Sequence, residues 1–227
     1  MTLVYGFASR GWKLSATCLD SWHQTASKVY PVSFAYDMNV LDAFQQIYEQ
    51  TTEEIISYCH DDLVIGEKSW DLRVLKQFED PQVGLVGFGG SLGHARPGLY
   101  REPFRIPNLV RRDFLSNMRT AEANGHRFAG ETDVACLDGF SLFVRRSVLD
   151  RWGGWPVNSP YGYWLYAEAL CCETRRQGSR IRMVGVECDH LGGKTVGIVP
   201  LTDSYEEAHR YLADNNKDCL PYYVPLK

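Results

Sequence analysis

The residues of this chain best suited to chemistry are His60, Asp61 and Asp62, which close the apolar run Ile55-Ile56-Ser57-Tyr58-Cys59. Two carboxylates at the end of a strand offer hard oxygen ligands. A divalent cation there could bridge a carboxylate and a bound diphosphate, offsetting charge that would otherwise repel both. An ordinary acidic turn after a strand is spelled the same way. His190 also follows a strand-like run, Ile181 to Val186, in the stretch Glu187-Cys188-Asp189-His190. Its imidazole could complete a coordination shell, and a mixed imidazole–carboxylate shell suits Mn²⁺ better than Mg²⁺; a lone histidine serves a structural role equally well. Glu168 stands near Trp164 and Tyr166 at the start of a helical pattern. A carboxylate among aromatic rings can acquire a raised pKa and take the proton of a hydroxyl, while a glutamate in a first helical turn is also favoured by the helix dipole alone. Asp138-Gly139 interrupts an apolar strand pattern, where glycine signals a bulge, a close ligand approach or a turn. Aromatic residues make up 13% of the chain and are dense at Trp152, Trp155, Tyr161, Tyr163 and Trp164; flat rings of this kind suit sugar faces and protein cores alike.

Such residues need a scaffold, and the first half of the chain spells one. Short apolar runs at 3–6, 29–36, 54–59 and 83–86 read as strands. Helical patterns lie between them at 12–22, at Leu41, Phe44, Ile47 and Tyr48, and at Leu72, Leu75 and Phe78 before Asp80-Pro81. Strand–helix alternation predicts a mostly parallel sheet covered on both faces, with ligands beyond the carboxyl ends of the strands. His60-Asp61-Asp62 falls at such an end. The second half reads differently. Residues 88–110, with several Gly and Pro residues and Arg96, Arg101 and Arg105, read as a long mobile loop, of a length that is functional or disordered, or else as a solvated surface loop. A strand at 136–144 broken at Asp138-Gly139, a short helix at 146–152, a helix at 167–177 capped by Gly178 and a strand at 181–186 follow. Ser204-Tyr205-Glu206-Glu207 resembles a capping box that opens a last helix.

Composition narrows the function classes. The chain has 227 residues, 44% of them hydrophobic and 23% charged, which is enough for one domain with a sizeable core. Lys plus Arg number 24 against 28 Asp plus Glu, a net charge of −4 that argues against a surface tracking nucleic acid. No apolar run is long enough to span a bilayer, and the N-terminus lacks the pattern of a secretory signal. Seven cysteines without a Cys-x-x-Cys pair read as buried free thiols. The expectation is a cytoplasmic protein.

These pieces, taken in order, resemble a known family. The stretch from Ile55 through His60-Asp61-Asp62-Leu63, then Trp70, then Asp80 to Gly87 looks like the donor half of the inverting nucleotide-sugar glycosyltransferases of family 2, many of which carry His-Asp-Asp in place of Asp-x-Asp. Residues 136–146 resemble the family's Asp-Gly strand before an arginine, and Gly153-Gly154-Trp155 its Gly-Gly-aromatic turn. Residues 166–178 resemble its catalytic helix, and His190 its late metal-ligand histidine. The resemblance covers most of residues 2–195. It departs in two places: Tyr166-Ala167 stands where the helix usually opens with an acidic pair, and the first loop reads Gly6-Phe7-Ala8-Ser9-Arg10 with Asp37 as the acid after the second strand.

The resemblance implies a GT-A-like single domain of α/β class, with a mostly parallel central sheet and helices on both faces. It implies a donor-binding half at 1–90, a mobile loop at 88–110, an acceptor and catalytic half at 111–200 and a C-terminal helix and tail at 201–227. The implied activity is metal-dependent transfer, with inversion, of a sugar from a nucleoside diphosphate sugar to a hydroxyl of a glycan, lipid-linked sugar or protein. Asp62 and His190 would hold Mn²⁺ or Mg²⁺. Ser9, Arg10, Asp37, His60, Asp61, Gly139 and Trp155 would meet the nucleotide sugar. Glu168, with Asp138, would be catalytic. A non-catalytic sugar-nucleotide- or carbohydrate-binding protein on the same fold and a metal-dependent phosphoesterase are the alternatives.

Overall fold

The computed structural model describes residues 1–9, 12–94, 114–119, 126–161, 165–191 and 203–224. The first half runs β1 (Leu3–Ser9), α1 (Trp12–Thr25), β2 (Val32–Tyr36), α2 (Val40–Gln50), β3 (Ile55–His60), β4 (Leu63–Ile65), α3 (Trp70–Gln77) and β5 (Val83–Gly87). Next come short strands: β6 (Gly89–Ser91), β7 (Gly93–His94), β8 (Phe114–Ser116), β9 (His126–Arg127), β10 (Glu131–Asp133) and β11 (Cys136–Leu137). The chain continues through β12 (Ser141–Arg145), α4 (Arg146–Trp152), α5 (Tyr166–Arg176), β13 (Arg180–Val184), β14 (Cys188–His190), α6 (Asp203–Asn215) and β15 (Tyr222–Tyr223).

The main sheet has seven strands in the order β10-β13-β5-β12-β3-β1-β2. Five of them run one way; β12 and β10 oppose them. β12 comes from the second half yet lies between β3 and β5 of the first, so the two halves share one sheet. Tyr5 and Phe7, two apart and therefore on one face, meet Trp22 of α1, and Trp22 also touches Trp70 of α3 and Phe143 of β12. On the opposite face Phe44 of α2 packs on Tyr58 of β3, Trp155 and Tyr166 of α5. Helices thus cover both faces, as alternation predicts. The described cysteines are free, and all but the half-buried Cys219 are buried. No helix among the described residues is long and apolar enough to cross a membrane.

Two expectations change on folding. Of Leu72, Leu75 and Phe78, Phe78 is buried and Leu75 packs partly against the core, but Leu72 is 54% exposed; Trp70, Asp71 and Val74 are buried beside them. Asp71 lies inside with Trp70 and Val74: its carboxylate accepts from Ser27 N at 2.8 Å, from Ser27 Oγ and from Tyr30 Oη at 2.7 Å. Asp71→Ala would strip three donors of their acceptor in a buried site and should cost about 3 kcal/mol or more, measurable as a shift of the urea midpoint without a change of slope. Residues 88–94 form no loop but the buried strands β6 and β7, because Gly89 and Gly90 sit against Phe140 and Leu137, where side chains would not fit. Arg96, Arg101 and Arg105 lie outside the described residues. The tail after α6 is tied down as well: Tyr222-Tyr223 pairs antiparallel with Gly93-His94.

Candidate functional site

His60, two residues beyond Tyr58 on β3, faces the α5 side of the sheet. The turn that follows it is held from the other side by α1. Cys18 Sγ donates to Leu63 O at 2.9 Å and Trp22 Nε1 to the same oxygen at 3.1 Å. β4 then pairs antiparallel with β14 in the register His190↔Leu63, and Leu191 N donates to Asp62 O at 2.9 Å. This ribbon brings His190 beside Asp62 across most of the length of the chain. Phe140, whose carbonyl accepts from His60 N, stacks on the His190 ring at 5.4 Å.

Three donor atoms converge here. His60 Nδ1 is 3.1 Å from His190 Nε2, which is 3.2 Å from Asp62 Oδ1, and one atom from each of the three residues lies within 4.8 Å of the others. Asp62 Oδ1 is buried, with the His190 imidazole as its near neighbour. Burial raises the Asp62 carboxyl, but His190 and His60 more than offset this and hold it below its ordinary value. Burial, then His190, pushes His60 down, favouring a neutral ring with a free lone pair. Two imidazole nitrogens and an ionised carboxylate oxygen fit a borderline divalent cation.

Next to this cluster stands a second group of acids. Glu168 in α5 is only 7% exposed, and burial pushes its carboxyl up to about 8, with Asp138 adding to the rise. Asp138 Oδ1 accepts from Phe140 N at 3.1 Å, which holds the chain reversal between β11 and β12. Tyr166 bridges the two groups, its hydroxyl 2.9 Å from His60 Nε2 and 3.4 Å from Gly139 O. Gly139 has a steric role: a Cβ there would lie 2.5 Å from the Tyr166 hydroxyl. Burial also pushes the Tyr166 phenol up, so it stays protonated.

The other expected residues fall in several places. Ser9 Oγ, at the end of β1, donates to Asp61 Oδ2, which joins the ends of two neighbouring strands. Asp37 is exposed just past β2, in left-handed backbone (φ 54°), its N donating to Ser9 O at 3.2 Å. Arg10, Trp164 and Gly192-Gly193-Lys194 lie outside the described residues. Trp155 is a correction: at 3% exposure it offers no sugar platform. Gly153 and Gly154, at φ 85° and 90°, turn the chain after α4 and direct Trp155 inward, where its N donates to Gln45 Oε1 at 2.7 Å and its ring meets Phe44 and Tyr58. Arg145 and Arg146 also stay away from the site; they bind carbonyls at the opposite end of the strands, before β3 and at the start of β5. Sequence reasoning missed Tyr205 and His209 of α6. Burial and then the charge of Glu168 raise Tyr205 to about 12, and burial lowers the neighbouring His209, 4.3 Å away ring to ring, to about 4. No spacing near Glu168 announces them, because α6 comes much later in the chain.

Residues 24–214 match the model of a family described as a glycosyltransferase-like family. The chain belongs to that family. No curated protein matches this glycosyltransferase in sequence. Among solved structures it is similar to a mannosyltransferase from Pyrobaculum calidifontis in complex with GDP-Man and Mn²⁺, with a TM-score of 0.54, 10% identity, and 96% of this chain and 73% of that one covered. It is similar to S. aureus TarS in complex with UDP-GlcNAc, with a TM-score of 0.59, 9% identity and 97% and 70% covered. It also resembles GalNAc-T7 with UDP, GalNAc and Mn²⁺, with a TM-score of 0.59, 8% identity and 84% of this chain covered, although it spans only 44% of that protein. At such identities the likeness shows the fold, which is GT-A-like.

Proposed function

We propose that this glycosyltransferase moves a sugar from a nucleoside diphosphate sugar to an acceptor hydroxyl, with inversion, at a divalent-cation site formed by Asp62 and His190 together with His60. One observation carries the reading: His60 Nδ1, Asp62 Oδ1 and His190 Nε2 converge beyond the carboxyl end of β3, beside a buried glutamate whose pKa is raised to about 8. The structural relatives bound to GDP-Man, UDP or UDP-GlcNAc, two of them with Mn²⁺, support it. When bound, the cation would neutralise the departing diphosphate.

The remaining steps belong to the chain. Ser9, Asp61 and Asp37, at the ends of neighbouring parallel strands, lie where a nucleoside would sit in such a sheet. Glu168 takes the proton of the acceptor hydroxyl as the new C–O bond forms at the anomeric carbon. The bond from that carbon to the diphosphate oxygen breaks, and the pair leaves with the diphosphate. Burial, with a smaller contribution from Asp138, keeps Glu168 basic enough to accept the proton.

A thermal-shift series with UDP, GDP, dTDP and their sugars, each with and without Mn²⁺, tests the reading. One nucleotide is expected to stabilise the protein strongly only with Mn²⁺, by about 2.7 kcal/mol at ~100 times its dissociation constant. Incubation of that donor sugar with acceptor hydroxyls should release the nucleoside diphosphate and yield the inverted anomer by NMR. Absence of any Mn²⁺-dependent nucleotide shift would refute the proposal.

A further inference from the structure

We propose that Tyr166 is a positioning residue for the cation site: its hydroxyl fixes His60 in the tautomer that turns the Nδ1 lone pair toward Asp62 and His190. The inference rests on the cation reading above and concerns a residue that stands where the family helix usually opens with an acid.

An imidazole can ligate an ion through Nδ1 only if its proton sits on Nε2. Among the described residues, the hydrogen-bond partner of His60 Nε2 is the Tyr166 hydroxyl at 2.9 Å. That hydroxyl carries a single proton, and Gly139 O, 3.4 Å away, can only accept. The arrangement that uses every group sends the phenolic proton to Gly139 O and leaves a phenolic lone pair for Nε2–H of His60. Nδ1 is then bare, and it is the nitrogen 3.1 Å from His190 Nε2, on the side of Asp62. The opposite direction, with the hydroxyl donating to Nε2, puts a proton on Nδ1 in the middle of the donor cluster and leaves Gly139 O without its hydroxyl.

The hydroxyl has little freedom to move elsewhere. Tyr166 is 6% exposed, and its ring is wedged edge-on against Phe44 and Trp155. Glycine at 139 is what makes room, since a Cβ there would fall 2.5 Å from the hydroxyl oxygen. One buried group, held by packing on one side and by a main-chain carbonyl on the other, therefore orients a ligand from outside the coordination shell, where such partners commonly set metal affinity.

The test is Mn²⁺ binding, alone and with UDP or GDP, followed by titration of the free-ion EPR signal, with pulsed EPR to register imidazole nitrogens on the bound ion. Wild type is expected to show two coupled imidazoles. Tyr166→Phe keeps the ring and removes the hydroxyl; it should weaken Mn²⁺ binding by ~10–100-fold and weaken or abolish one imidazole coupling while the melting curve keeps its cooperativity. Gly139→Ala, which pushes the hydroxyl away, should reproduce the loss. In a His60→Ala background Tyr166→Phe should change Mn²⁺ affinity no further, a non-additivity that a merely structural role would not produce. Wild-type affinity and couplings in Tyr166→Phe, or additive losses in the double variant, would overturn the role of Tyr166 and leave the cation site standing. Wild type that binds no Mn²⁺ through imidazole would overturn both.

Discussion

Asp62→Ala is expected to abolish the Mn²⁺-dependent part of nucleotide binding and to cut sugar transfer by about 10³-fold or more. Asp62 is the only anionic member of the cluster, and its Oδ1 is buried beside the two imidazoles. Removing a carboxylate ligand should weaken the ion by more than the ~10–100-fold that loss of an outer partner costs. The Lewis-acid contribution it removes is several kcal/mol, or roughly three decades of rate at ~1.4 kcal/mol each. The fold should survive, because the main-chain bond from Leu191 N to Asp62 O and the β4–β14 pairing do not depend on the side chain. His190→Ala should cost less, as Asp62, His60 and the diphosphate remain to hold the ion. Isothermal titration with nucleotide, with and without Mn²⁺, checks both variants. Undiminished Mn²⁺-dependent affinity in Asp62→Ala would place the ion elsewhere.

Glu168→Gln should lower turnover by ~10²–10⁴-fold with donor affinity little changed, the pattern of a lost general base. The pH profile gives a second signature. With its carboxyl raised to about 8, Glu168 is largely protonated at pH 7, so kcat/KM should rise with pH through about 8 and this rise should vanish in Glu168→Gln. Stability should move the other way. In the unfolded chain the group ionises near 4.5, and in the folded one near 8, so between these values the native state binds the extra proton and stability falls as pH rises. At ~1.4 kcal/mol per unit the loss is at most ~5 kcal/mol, complete above pH 8. Glu168→Gln carries no such charge. Without metal it should melt above wild type at pH 8–9 and close to it near pH 4. A variant more stable and far less active marks a carboxylate buried for its chemistry; near-normal transfer by it would shift the base to Asp138.

The sequence by itself determined the alternating elements and put His60-Asp61-Asp62 at the end of β3 as the candidate site. Those features are local: the apolar runs of β1, β3 and β5 and the helical face of Leu41, Phe44 and Ile47 follow from periodicity, and His60-Asp61-Asp62 stands directly after its strand. Motif order added the family and the pairing of Asp62 with His190, which the β4–β14 register realises at 3.2 Å. Only the tertiary structure decided which groups share the centre. His60 joins the donor atoms because β3 alternation turns it toward α5, and Tyr166 reaches it because Gly139 leaves a gap of one methyl. Burial, which no spacing encodes, separates Glu168, raised to about 8, from a solvated helix-start glutamate, and it removes Trp155 from the sugar-binding set by folding the Gly153-Gly154 turn inward. The same holds for Asp71, buried where Ser27 and Tyr30 supply three donors to its carboxylate. Periodicity reports which side of an element is apolar. Hydrogen bonds between elements distant in sequence decide where a polar group can afford to be buried, and in this protein that is where the candidate chemistry lies.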